Sequence, residues 1–343
     1  MKAFADPAQE LHTPRFFLMR GRLHQNFEVP ARAASLAEGL SRLGIAPQQP
    51  APAPRAAIEA VHPAPFLDFL RDAPARWAAL PEAGPEMVAN IHPSPEMLAQ
   101  GGAAGAHPVA ELGLYTADTA CPIGPGTHDA AMGAAACALA AAVEAAAGRT
   151  AYALCRPPGH HAYAARAGGH CYLNNAAIAV EALRRAGAAR VAVLDIDSHH
   201  GNGTQGIFWE RGDVLTVSVH ADPDRYYPWY VGRAAERGAG AGAGLNLNLP
   251  LPFGTGDEGW LGAIATGLAA IGAFRADALV LSLGFDASEH EPLNALSVTE
   301  DGFARAAAAI SAVRLPTAIV QEGGYNVDLL GTLLARFIGA WRG

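Results

Sequence analysis

VAVLDIDSHHGNGTQGIF, residues 191–208, joins an apolar run to a cluster of acids and histidines without a break. The run Val191–Ile196 is too short for a helix and rich in Val, Ile and Leu, as strands buried on both faces are. It delivers Asp195, Asp197, Ser198, His199 and His200 at its carboxyl end. Three other runs end the same way. AYALC (151–155) leads into RPPGHH, which closes on His160 and His161; ALVLSL (278–283) leads into Gly284, Phe285 and Asp286; TAIV (317–320) leads into Gln321, Glu322, Gly323, Gly324 and Tyr325. LTVSV (215–219) and LNLNL (245–249) are similar runs. Helical patterns lie around and between these runs, at 127–147, 175–186, 257–273, 300–313 and 327–341. This alternation predicts a parallel α/β sheet with helices on both faces. Ligands of such sheets bind beyond the carboxyl ends of the strands, where the four polar endings converge.

The remaining composition narrows the class of function. The 343 residues carry a net charge of −8 and no basic cluster, which argues against nucleic acid and favours cationic small molecules. No uninterrupted apolar run is long enough to cross a bilayer, and the N-terminus lacks a signal-peptide pattern, so a cytoplasmic enzyme is expected. Cys121, Cys137, Cys155 and Cys171 are widely spaced and read as buried thiols. The Gly/Ala-rich stretch 237–244 lacks the ending of a phosphate loop and reads as a plain loop. Residues 81–126 are weakly periodic and too long for a simple connection, which marks an insertion within a single domain spanning 1–343.

Asp197 and His199 are two residues apart, so on extended backbone their side chains face the same way. Asp286, arriving on another strand, completes a three-ligand set with an open position, the pattern of a catalytic zinc. Two carboxylates and an imidazole also accept Fe(II). Water attacking an amide needs a base and the departing amine needs an acid, and the His160–His161 pair can supply both. Asp195 can orient one ring and Asn202 the other; a charged and a neutral partner would separate their pKa values. Gly323 and Gly324 let the backbone approach closely, so the Tyr325 hydroxyl can reach a developing oxyanion.

RPPGHHA (156–162), GGHCYLNNAAIA (168–179), LDIDSHHGNGTQGIF (194–208), SLGFDASEHEPL (282–293) and EGGY (322–325) together resemble the histone deacetylase superfamily. The chain looks most like its bacterial acetylpolyamine amidohydrolase and class II-like branches, from FEVPARA (27–33) almost to the C-terminus. The resemblance implies the arginase–deacetylase fold, one eight-stranded parallel sheet flanked by helices. It implies zinc on Asp197, His199 and Asp286, acid–base work at His160 and His161, and carbonyl activation by Tyr325. It pairs Asp195 with His160 and implies a structural potassium ion near Asp195, Asp197, His199 and Ser218. Gly169, His170 and Tyr227 match tunnel-lining positions, with a histidine at 170 where the family tends to carry Phe or Tyr. Asp118 and Glu322 are the acidic candidates for substrate contact. The 81–126 insertion resembles one that builds a homodimer, or a tetramer, and narrows the entrance. The implied reaction is hydrolysis of an acetylated amine, an acetylpolyamine first, with acetyl-lysine or other small amides as alternatives. A two-metal ureohydrolase would need a further acid after Asp286, where Ala287 and Ser288 stand.

Overall fold

The computed structural model describes residues 1–343. Its strands are β1 (Lys2–Phe4), the hairpin pair β2 (Phe16–Met19) and β3 (Arg22–Gln25), β4 (Ala151–Ala153), β5 (Val191–Asp195), β6 (Val214–Ala221), β7 (Asn246–Leu251), β8 (Ala278–Leu283) and β9 (Thr317–Gln321). Seven of them form one sheet in the order β1-β4-β9-β8-β5-β6-β7, and every pairing in it is parallel. The sheet therefore has seven strands where eight are expected, with the three-residue β1 at one edge and β7 at the other. All six apolar runs singled out in the sequence are strands of this sheet. The expected helices appear as Thr127–Ala146, Asn175–Arg185, Asp257–Phe274, Glu300–Ser311 and Val327–Arg342.

Alternation along each strand divides the core in two. Val191 and Val193 of β5, and Ala278 and Val280 of β8, face one apolar cluster; Ala192, Leu194, Leu279 and Leu281 face the other. Both faces are covered, so the strands read as continuous apolar runs. The helix Thr127–Ala146 has the length and hydropathy of a membrane span, yet it packs against the helix Asn175–Arg185 and against β4 and β9. Its alanine-rich face gives close approach to the sheet. Local signals end the elements in the expected places: the Asn174 side chain accepts from Ala177 N–H and Thr299 from Gly302 N–H, each capping a helix start.

The chain builds β5, β6 and β7 outward in one direction, then returns to lay β8 on the other flank of β5 and β9 beyond it. The crevice at β5 and β8 is thus a topological switch point, where open α/β sheets bind ligands. Residues 81–126 pack against the body of the protein. Met87, Leu112, Cys121 and Ile123 join one apolar cluster, and Met87 bridges Ile123 in antiparallel fashion. All four cysteines are buried and unpaired.

Candidate active site

The extensions of β5 and β8 bring Asp197, His199 and Asp286 together, their donor atoms all within 4.8 Å of one another. His199 Nδ1 lies 2.8 Å from Asp286 Oδ2 and 3.2 Å from Asp197 Oδ1. Main-chain amides hold the carboxylates in place: Gly323 N–H donates to Asp197 Oδ2 (2.8 Å) and Ser198 N–H to Asp286 Oδ1 (2.8 Å). A Cβ at Gly323 would fall 2.6 Å from both Asp197 Oδ2 and Asp286 Oδ2, so the close approach requires glycine. Both carboxylates are fully buried. Two like charges at such range, out of water, call for a cation. In the bare protein the nearest is His199 itself; burial pulls its pKa down, but the two carboxylates outweigh this and raise it to about 9. Two anionic oxygens and one imidazole facing inward fit a divalent metal ion.

Behind this cluster the two histidines differ in partner. His160 Nδ1 lies 2.9 Å from Asp195 Oδ2, and His161 Nδ1 lies 2.7 Å from Asn202 Oδ1. Burial depresses both imidazoles. For His160 the carboxylates of Asp195 and Asp197 overcome burial and hold the ring well above its ordinary pKa. For His161 burial dominates, and the positive His160 and His199 push it further down, outweighing the smaller upward pull of Asp197 and Asn202. One ring is a standing cation and its neighbour a neutral base. Asp195 also accepts from Asp197 N–H (3.1 Å), tying the pair to the ligand segment.

Above the cluster opens a cavity of about 470 Å³. His161, His199 and Tyr325 line it, as do Phe17, Gly169, His170 and Tyr227, with the exposed Arg20, Trp229 and Tyr230 also at its walls. Gly169 has φ +51, and a Cβ there would meet the His161 ring at 2.5 Å. His170 also adopts positive φ (66°), and its ring packs edge-on against Phe17 with centroids 5.5 Å apart. Burial lowers its pKa to about 4, so it is a neutral wall.

The acidic candidates part ways. Asp118 lines the cavity, but its oxygens accept from the Tyr227 hydroxyl (2.6 Å), Gly169 N–H (3.1 Å) and Ala120 N–H (2.7 Å). It thus braces the tunnel wall. Glu322 is fully buried and does not line the cavity, contrary to its expected place beside the substrate. Its Oε2 accepts from Gly159 N–H (2.7 Å) and His160 N–H (3.0 Å), fixing the turn that carries the histidines. His160, Cys171 and Glu322 also cluster, but the Glu322 oxygen is already engaged by those amides.

A family model described as the histone deacetylase domain matches residues 26–340. The chain belongs to the histone deacetylase family. Among relatives in this family, it is 45% identical to an acetylpolyamine amidohydrolase of Burkholderia pseudomallei, over 99% of this chain and 98% of the other. It is 37% identical to the acetylpolyamine amidohydrolase of Mycoplana ramosa, over 98% of each chain. The crystal structure of an acetylpolyamine aminohydrolase from Burkholderia pseudomallei superposes with a TM-score of 0.95 at 44% identity, covering 99% of this chain and 98% of that one.

This family member also holds its Tyr325 loop with residues that sequence reasoning missed. Arg32 donates through Nε to Gly324 O and through Nη2 to Glu322 O, both at 2.6 Å, and its guanidinium stands 4.8 Å over the Tyr325 ring. Glu28, at 2.8 Å, neutralises it. Burial drives the Tyr325 phenol well above its usual pKa, so it stays a hydrogen-bond donor. Phe17, on the β2–β3 hairpin, supplies the cavity wall beside His170. Its only sequence signal was the Arg20-Gly21 turn.

Proposed function

We propose that this chain is a metal-dependent amide hydrolase that frees amines from acetyl groups, with acetylpolyamines as first-choice substrates. The convergence of the Asp197–His199–Asp286 cluster, the His160–His161 pair and Tyr325 at one cavity carries this reading. The names of the relatives support the substrate class. Asp197, His199 and Asp286 would hold zinc, with Fe(II) the alternative. When bound, the ion supplies Lewis-acid polarisation of the carbonyl and acidifies water.

The chain's own residues do the rest. With Asn202 accepting from its Nδ1–H, His161 presents a bare Nε2 to the cavity and takes the proton of the attacking water. It then returns that proton to the leaving amine. His160, kept positive by Asp195, stabilises the negative charge that builds up beside it. Tyr325 donates its phenolic hydrogen to the carbonyl oxygen as that oxygen gains charge. Gly169, His170, Tyr227 and Phe17 enclose the linear part of the amine and exclude water.

A structural potassium ion beside Asp195, Asp197, His199 and Ser218 belongs to the same proposal. His220 Nε2 donates to Gly232 O, so its Nδ1 accepts from the Ser218 hydroxyl, which leaves the serine lone pairs free, and Ser218 stands in register with Asp195 on the paired strand. We assign residues 1–343 to one domain, with 81–126 as a dimer-forming insertion. Exposed Ile91, Met97 and Leu98 on that segment support the assembly. Four unpaired buried thiols suit a reducing cytoplasm.

The test is turnover of acetylputrescine, acetylspermidine, an acetyl-lysine peptide and a simple anilide by metal-quantified enzyme. Faster hydrolysis of acetylpolyamines is expected. Equal or faster turnover of the peptide would assign the site to acetyl-lysine instead.

A further inference from the structure

The loop bearing Tyr325 has no regular secondary structure and is gripped from two sides, by a guanidinium and by a carboxyl group. Arg32 takes its carbonyls, as described above. On the amide side, both oxygens of Glu291 accept from Tyr325 N–H (2.9 and 3.0 Å), and Oε1 also accepts from Asn326 N–H (3.1 Å). Glu291 is buried and forms no ion pair with any Arg, Lys or His. A buried carboxylate costs several kcal/mol unless it is well hydrogen-bonded. Here the main-chain amides beside the phenol are its partners, an arrangement that general core packing does not require.

Position adds a second reason. Glu291 lies five residues after Asp286, in a segment folded by tight turns that include Glu291 N–H donating to Ser288 O (3.2 Å). Its carboxylate therefore ties the segment carrying a metal-cluster aspartate to the segment carrying the phenol. Gly323, on the same loop, already packs against Asp197 and Asp286 with no room for a Cβ. The loop is fixed at both ends of the short span that separates the cluster from the hydroxyl.

We infer that Glu291 is a positioning residue for Tyr325, setting where the phenol stands relative to the Asp197–His199–Asp286 cluster. The inference rests on the proposed role of Tyr325 as carbonyl donor. Glu291 touches neither substrate nor the reacting atoms. Removing its grip displaces the phenol and leaves substrate binding largely intact.

Glu291→Gln tests this, because the amide keeps the shape but sets an NH2 group against the Tyr325 N–H in place of an accepting oxygen. A displacement of about 1 Å at a reacting group costs about 100-fold, so kcat should fall about 10- to 100-fold while KM changes less than about threefold. Metal content should stay unchanged. In a Tyr325→Phe background the same substitution should cost less than about twofold, since there is no hydroxyl left to misplace. Glu291→Asp, which keeps the carboxyl group on a shorter side chain, is measured beside it, and its loss should vanish in the same background. Undiminished kcat, a loss equally large with and without the Tyr325 hydroxyl, or loss of metal would overturn the inference. If Tyr325→Phe alone is fully active, the proposed role of the phenol falls and this inference with it. If that variant is slow and both Glu291 variants are not, the positioning inference alone fails.

Discussion

His161 Nδ1 lies 2.7 Å from the side-chain oxygen of Asn202, a neutral acceptor, although the adjacent His160 has a carboxylate at the matching place. A neutral partner orients the ring without stabilising its charged form. Replacing Asn202 with Asp would favour the imidazolium and raise the His161 pKa. Turnover at neutral pH should fall, and the acid limb of the pH–rate profile should move to higher pH. A profile with an unmoved acid limb would remove His161 from the role of base.

Tyr325→Phe deletes the proposed carbonyl donor while keeping the ring beneath Arg32. Loss of one oxyanion donor costs about 100- to 1000-fold in kcat. The change should appear in kcat far more than in KM. Steady-state kinetics on metal-loaded variant enzyme gives the answer, and unchanged turnover would exclude the hydroxyl from the reaction.

Asp118 lines the cavity with its carboxylate engaged by the wall it holds, Gly169 and Tyr227. Asp118→Ala should therefore weaken catalysis of charged and uncharged acetyl-amides alike. A defect confined to polyamines, with a neutral anilide unaffected, would place the carboxylate in direct contact with an ammonium group.

The other six strands of the sheet were legible because burial on both faces leaves short apolar runs with polar ends. β1 was not, since Lys2–Phe4 has no apolar run around it and its strand partner, β4, lies about 150 residues away. The expected eighth strand rested on resemblance, and the sheet ends on β1 without it. Within the site, Asp197, His199, Asp286, His160, His161 and Tyr325 each lie on the segment that leaves the carboxyl end of a strand, so sequence order exposes them. Arg32 and Glu291 do not. Their partners lie 292 and 34 residues away, and a helix arginine or loop glutamate looks the same whether solvated or buried. Glu322 was misplaced because adjacency to Gly323 says nothing about which way a side chain turns.

Buried neutral histidines set an acid limit on stability. His62 accepts from Asn174 N–H and donates to Ala164 O, and burial lowers its pKa to about 4, below the ordinary 6.5. The unfolded chain gains a proton on this group between those values while the folded chain does not, so unfolding is favoured as pH falls. Stability from His62 is complete above about pH 6.5 and declines by about 3 kcal/mol by pH 4. Urea midpoints at constant m-value should fall across that window. Flat midpoints would contradict the buried neutral ring.

The most direct measurement is a zinc titration of chelated enzyme while acetylputrescine turnover is followed, with Asp286→Ala in parallel. Full rate should return at one metal per chain, and the variant should neither bind metal nor recover. Undiminished hydrolysis by the metal-free chain, or a rate that appears only at two metals per chain, would contradict a one-metal amide hydrolase.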